Sequence, residues 1–193
     1  TKCTAATHAI TPPLASSAYS SSYTYTPSFS SEDWSGELVK AETTLSTSKK
    51  IWSAQKRLDT AYPSGNSAYA NRPIYIKGGS SSSGLTSFTW ANLSTTQKAA
   101  LNKKLDSTTD SNGESRVAWL RGDRSKEGSL LRARSHVLGD IVNSTPVVVT
   151  TPSSPTSLMN ALESSASYGT FQQKWSARST RIYVGANDGM LHA

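Results

Sequence analysis

Polar positions outnumber apolar ones along most of this chain, so segments where apolar residues recur at regular spacing stand out. Tyr23 and Tyr25 alternate, and Phe29 and Leu38 flank the run Asp33-Trp34-Ser35-Gly36. That pattern predicts half-buried strand between 22 and 38, with Gly36 at a turn or bulge. Ile51, Ala54, Gln55 and Leu58 fall on one helical face, which predicts a short helix over 48–59 with Ser48 as N-cap and Pro63 beyond its end. Short strands are expected at 73–76 and around Phe88 and Trp90, separated by a serine-rich loop from Gly78 to Gly84.

The sharpest local signal in the middle is Ser94-Thr95-Thr96-Gln97, followed by Ala100, Leu101 and Leu105. The Ser94 hydroxyl can accept from the amide of Gln97 while the Gln97 side chain reaches back to the amide of Ser94, a capping box. The helix it starts is expected to run to about Asp106. A second helical turn is predicted over 116–121, with Val117 and Leu120 inward and Gly122 closing its C-terminus. A third is predicted over 158–165. The expected core residues are Trp34, Leu38, Leu101, Leu105, Trp119 and Leu120.

The final stretch is of a different kind. Thr145-Pro146-Val147-Val148-Val149 reads as a compact apolar strand, and Arg181 to Ala193 reads as two strands about Asn187-Asp188-Gly189. Asp-Gly tolerates the positive φ angles of a two-residue hairpin turn. A hairpin alone is marginal in water, and the second strand runs only from Met190 to Ala193. The expectation is therefore that further sequence completes this unit. A chain that begins at Thr1, with no signal peptide, reads as an internal piece of a longer protein.

Composition sharpens this picture. Ser and Thr make up 57 of the 193 residues, so long stretches should lie at the surface. The two sequons, at Asn92 and Asn143, matter only in a host that glycosylates asparagine. Net charge is +7. Basic residues concentrate only from Arg116 to Arg134, where Asp123 and Glu127 interrupt them and aromatics are not interleaved in any stacking pattern. That argues against nucleic-acid binding and for a solvated or interdomain charged face. Cys3 alone provides neither an internal disulfide nor a cysteine metal site. No apolar run is long enough to span a membrane.

At this point a family resemblance enters. Val184-Gly185-Ala186-Asn187-Asp188-Gly189-Met190-Leu191-His192-Ala193 resembles the opening blade of the β-propeller in PilC/PilY proteins of type IV pilus systems. Leu138-Gly139-Asp140-Ile141-Val142-Asn143-Ser144 resembles the segment that leads into that blade. Asp33-Trp34-Ser35-Gly36-Glu37-Leu38, Trp52-Ser53-Ala54 and Leu120-Arg121-Gly122-Asp123-Arg124 resemble motifs further upstream, in the same order. The expected fold is α+β: a mixed region of short strands and helices that ends in an incomplete first blade of a quinoprotein-like β-propeller. Three parts are expected: a linker or irregular edge over 1–22, a mixed pre-propeller region over 23–134, and a partial blade over 135–193.

The resemblance implies a non-catalytic part of a cell-surface protein at the pilus, supporting pilus assembly, adhesion and twitching motility. Its implied partners are minor pilus subunits, the remaining blades and a host-surface receptor. The family's Ca²⁺ loop is implied in blades beyond Ala193, so no cofactor is assigned to this segment. Two other readings compete. Quinone-dependent dehydrogenases also carry Asp-Gly hairpins, but the run from Asp33 to Leu38 fits the pilus family. A surface- or carbohydrate-binding module is favoured only if Trp34, Trp52, Trp90, Trp119 and Trp175 are exposed; core mass is the simpler role for them.

Candidate chemistry is sparse. Asp110, Asn112 and Glu114 place oxygen ligands at alternate positions, as Ca²⁺ loops do. Ser115 and Arg121 then stand where an EF-hand needs Gly and a bidentate Glu, so a solvent loop is the preferred reading. Arg121-Gly122-Asp123 is a receptor-read tripeptide that requires an exposed loop tip. His8, His136 and His192 lie in no metal-ligand spacing, and no nucleophile elbow or phosphate loop occurs.

Overall fold

A computed structural model of the chain describes residues 18–20, 23–44, 46–79 and 84–193. Cys3, His8, most of the expected 1–22 linker and the serine loop at 80–83 lie outside the described residues. Within the described residues the fold mixes short helices with antiparallel sheets.

The first sheet has four strands in sequence order: β1 (Ala18–Ser20), β2 (Tyr23–Ser30), β3 (Ser35–Thr43) and β4 (Ser48–Ser53). The expected strand at Tyr23 is present, and its period-2 pattern buries Tyr25 and Pro27 on one face. Two expectations need correction. Gly36 is not at the turn but inside β3, paired with Phe29. The turn is formed by residues 31–34, and Trp34 closes it with φ of 54°. The segment from Ser48 to Ser53 is strand rather than helix, because it pairs with β3 across a bulge at Lys40/Ala41. Helix α1 (Ala54–Ala61) starts only afterwards, and Ser53, not Ser48, caps it through the Lys56 amide. Tertiary strand pairing overrides the helical period of 48–53.

A two-stranded ribbon follows, β5 (Tyr75–Lys77) with β6 (Leu85–Ser87). Phe88 and Trp90 lie past β6 rather than in a strand, and Trp90 opens a 3₁₀ turn. Helix α2 (Thr95–Leu101) begins with the predicted capping box, both halves formed. It stops at Leu101 instead of Asp106, because Asn102 turns to accept the Gly113 amide at 2.8 Å. Leu105 is consequently fully exposed on the following loop, not in the core. Helix α3 (Gly113–Arg121) buries Val117 and ends at Gly122, whose φ of 126° and bonds to the Ala118 and Trp119 carbonyls make it the expected C-terminal stop.

The last sheet contains β7 (Val147–Val149), β8 (Arg181–Gly185) and β9 (Leu191–His192), with β8 in the middle and both pairings antiparallel. Between β7 and β8, residues 150–180 form a helical excursion with α4 (Thr156–Glu163) and α5 (Tyr168–Lys174). The sequence reading had no counterpart for α5. The Arg178 guanidinium donates to the Thr150 carbonyl and closes the base of the excursion. The β8–β9 turn differs from the two-residue form. Only Gly189 has positive φ, at 81°, and the Ala186 amide bonds the Met190 carbonyl. That is a longer loop with glycine in the left-handed position.

One hydrophobic cluster joins the two ends of the chain. Tyr25 and Leu38 from the first sheet pack with Leu138, Ile141 and Val184, each at most 4% exposed. Burying side chains of this size contributes about 1.5–3 kcal/mol apiece. The tryptophans are not the core mass expected of them. Trp34 is 55% and Trp175 39% exposed, and the other three are half-buried. Arginine also contributes to the interior: Arg72, Arg121 and Arg134 are all buried.

Candidate functional site at the junction of sheet and hairpin

Three segments meet at residues 138–141. Strand β3 approaches from one side: the Gly36 amide donates to the Leu138 carbonyl at 3.0 Å, and Ser35 bridges Gly139. A Cβ at Gly36 would lie 2.0 Å from the Gly139 oxygen, so only glycine permits this approach. The β8–β9 loop approaches from the other side. The Asn187 amide donates to the Asp140 carbonyl at 2.9 Å, the Asn187 side-chain amide donates to the Asp140 carboxylate, and the Gly139 amide donates to the Asp188 carboxylate at 3.3 Å. A Cβ at Gly139 would fall 2.7 Å from that of Asp188.

Asp188 is the hub of the loop. Its carboxylate also accepts from the Met190 amide at 3.1 Å and meets His192 Nε2 at 3.0 Å. Burial pushes its pKa up, but the bond and charge of His192 and the two amides outweigh burial and hold it below the usual carboxylate range. Both Asp140 and Asp188 act as structural anchors. His136 serves a similar purpose on the other flank, meeting Asp59 at 2.6 Å while the Val137 amide bonds the same carboxylate at 3.0 Å.

The basic stretch 116–134 is only partly solvated: Lys126 and Arg132 are exposed, while Arg121 and Arg134 are buried. Arg121 is 5% exposed, and its guanidinium donates to the carbonyls of Phe88 (2.8 Å), Ala70 (2.7 Å) and Arg72 (2.8 Å). Burial pulls its pKa down. Glu127 accepts from Arg124 at 3.0 Å, Arg134 at 2.8 Å and the Trp119 indole at 3.1 Å, and Arg134 lies 4.2 Å over the Trp119 ring. The tripeptide Arg121-Gly122-Asp123 is thus a helix terminus, not an exposed loop tip. Arg121 points inward, Gly122 is buried, and Asp123 accepts from the Ser125 amide and hydroxyl at 2.9 Å each. The sequence shows Glu127 only as an acid interrupting the basic stretch and gives no sign that it pairs with Arg124 and Arg134, nor that Asp59 meets His136.

Asp110, Asn112 and Glu114 are not brought together as a ligand set. The Asp110 carboxylate takes both arms of Arg116, at 2.7 and 2.5 Å, and this pairing holds its pKa far below the usual range. Asn112 precedes α3, and Glu114 is exposed in its first turn. Among the described residues no group of three or more His, Cys, Asp or Glu could hold a metal ion. Calorimetric titration of the chain with Ca²⁺ is therefore expected to give no micromolar site, and Asp110→Ala to leave the trace unchanged. A micromolar site abolished by that substitution would reinstate the loop as a ligand set.

An apolar groove of about 470 Å³ runs between the first sheet and β8, with Tyr25, Trp52 and Leu58 on one wall and Ile182 on the other. A smaller cleft of about 180 Å³ lies beside residues 137–140, between Trp34, Trp119 and the β8–β9 loop. Among the described residues no helix is long and apolar enough to cross a membrane.

Comparison with known proteins gives these features a setting. Residues 138–193 match the PilY1 β-propeller domain family. Over 178 residues, 88% of its length, the chain is 44% identical to the type IV pilus biogenesis factor PilY1 of Pseudomonas aeruginosa strain PAK and 43% identical to that of strain PAO1. A type IV pilus biogenesis factor PilY1 homolog of Xylella fastidiosa is 30% identical over 93% of the chain. The chain spans 15% of the length of the Pseudomonas proteins. No solved structure gives a significant match. The motifs from Asp33 to Ala193 and these matches agree: the chain belongs to the PilY1 family of type IV pilus biogenesis proteins.

Proposed function

We propose that this chain is a non-catalytic connector, coupling the part of a pilus-associated surface protein that precedes the β-propeller to its first blade. The observation that carries this reading is the junction at 138–141. Strand β3 holds Leu138 and Gly139, the β8–β9 loop holds Gly139 and Asp140, and one core spans both. Such a joint transmits orientation between two units, since neither can rotate without breaking backbone hydrogen bonds. In this reading β7, β8 and β9 belong to the opening blade. Minor pilus subunits and the remaining blades are the partners, at the cell surface, and the parent protein supports pilus assembly, adhesion and twitching. Any Ca²⁺ bound by the propeller is held outside this segment.

The test is an in-frame deletion of residues 135–193 in a bacterium carrying the gene. The expected result is reduced surface piliation and attachment, with parent protein still detectable. Normal pili, twitching and attachment, together with loss of a quinone-dependent dehydrogenase activity, would replace this reading with the enzyme alternative.

A further inference from the structure

We propose that the cleft between Trp34, Trp119 and the β8–β9 loop binds a neutral sugar ring. Three observations converge there. First, Trp34 is a bulky residue held at φ of 54°, in the left-handed region that such residues avoid, yet it is 55% exposed. Burial in a core does not offset that strain. Phe29 stacks behind its indole, rings 13° apart with centroids at 6.4 Å, and Arg132 donates to the Asp33 carbonyl at 3.0 Å beside it. The turn thus presents a fixed aromatic plate at the rim.

Second, the other walls are polar and rigid. Asp140, Asn187 and Asp188 line the cleft, fixed by bonds among themselves and to the backbone. Asp140 keeps acceptor capacity at its Oδ1, whereas both oxygens of Asp188 are engaged by the Met190 and Gly139 amides and His192. Third, the charge balances: the lining holds Arg132 and Arg134 with Asp140 and Asp188, and Arg134 is already paired with Glu127 and Asp188 with His192. Neither an anion nor a cation is selected by net field. A ligand with one flat C–H face and several hydroxyls matches an aromatic plate opposite fixed acceptors. The volume, about 180 Å³, suits a single pyranose ring with any further units outside. This assignment is independent of the pilus reading and concerns only the described cleft.

The experiment titrates the 193-residue chain with methyl glycosides of glucose, galactose, mannose, N-acetylglucosamine and N-acetylgalactosamine, followed by tryptophan fluorescence and by the indole N–H resonances. At least one glycoside should saturate with single-site stoichiometry in the millimolar range and shift the Trp34 indole signal. Trp34→Ala should weaken it by about tenfold or more, the loss expected for one stacking contact, and Trp34→Phe should retain most of it. Trp175→Ala, at an exposed indole outside the cleft, should leave it unchanged. Circular dichroism checks that each variant folds; if Trp34→Ala does not, Arg132→Ala at the rim provides the second test, again with weakened binding. Absence of saturation across the panel overturns the proposal. Methyl glucuronide and glucose 6-phosphate are titrated in parallel, and binding of these charged sugars alone also overturns it, as does loss of binding in Trp175→Ala with retention in Trp34→Ala.

Discussion

Replacing Arg121 with alanine is expected to lower the stability of the chain by about 3–4 kcal/mol, read as a drop in the denaturant midpoint at constant slope. The guanidinium reaches three carbonyls on two separate segments, those of Ala70 and Arg72 before the β5–β6 ribbon and that of Phe88 after it. The buried Arg72 carbonyl left without its donor costs about 1–3 kcal/mol, the part-buried carbonyls of Phe88 and Ala70 cost less, and the removed side chain leaves a cavity as well. Arg121→Lys should recover little, because an ammonium is a compact donor that cannot span the fork. A shift under about 1 kcal/mol would mean that the carbonyls find water and that Arg121 is not a structural clamp. The same geometry bears on receptor assays. Loss of binding in an Arg121 variant would report unfolding, so the tripeptide is better tested at Asp123, its half-exposed member.

Gly36→Val is expected to be the second most damaging change, at about 3 kcal/mol, above the usual range midpoint because the clash is with backbone. The Gly139 oxygen would sit 2.0 Å from the new Cβ and must retreat by more than an ångström. That retreat breaks the Gly36 amide bond to Leu138 and pulls Gly139 from Asp188. Amide exchange should show the signature: protection at Asn187 falls before protection within β2. Gly169→Ala in α5 is the control, since its Cβ would meet only the Thr156 methyl at 3.5 Å. Alanine there should be neutral or stabilising by up to about 1 kcal/mol. Equal effects of the two substitutions would remove the junction from the list of structural constraints.

What was legible in the sequence was local. The capping box at Ser94 and the stop at Gly122 are each decided within a few residues, and both are present. The hairpin at Asp188 was legible in kind but not in turn type, because the left-handed position falls to Gly189 alone. The helix predicted from Ser48 failed because β3 offered 48–53 a better partner than their own helical face did. Trp34 and Leu105 were assigned to the core on apolarity alone, but a turn geometry and an early helix stop place both outside. The junction and the arginine clamp were invisible. Arg121 finds its carbonyl partners 33 to 51 residues away, and Asp188 meets Gly139 across 49, distances over which no periodicity carries information.

The helical excursion between β7 and β8 also sets an order of assembly. Strands β8 and β9 are joined by the short loop 186–190 and can zip together on the microsecond scale of an isolated hairpin. Strand β7 must close residues 150–180 before it can pair, a connection about six times longer that costs about 1.5 kcal/mol more in chain entropy. The middle strand of the sheet therefore waits with one side unpaired after the hairpin has formed. The Arg178 bond to Thr150 shortens that wait, since it brings the two ends of the excursion together next to the first residue pair of β7 and β8, Val149 and Arg181. Arg178→Ala should accordingly slow folding while leaving the unfolding rate nearly unchanged, the kinetic pattern of a contact made before the barrier.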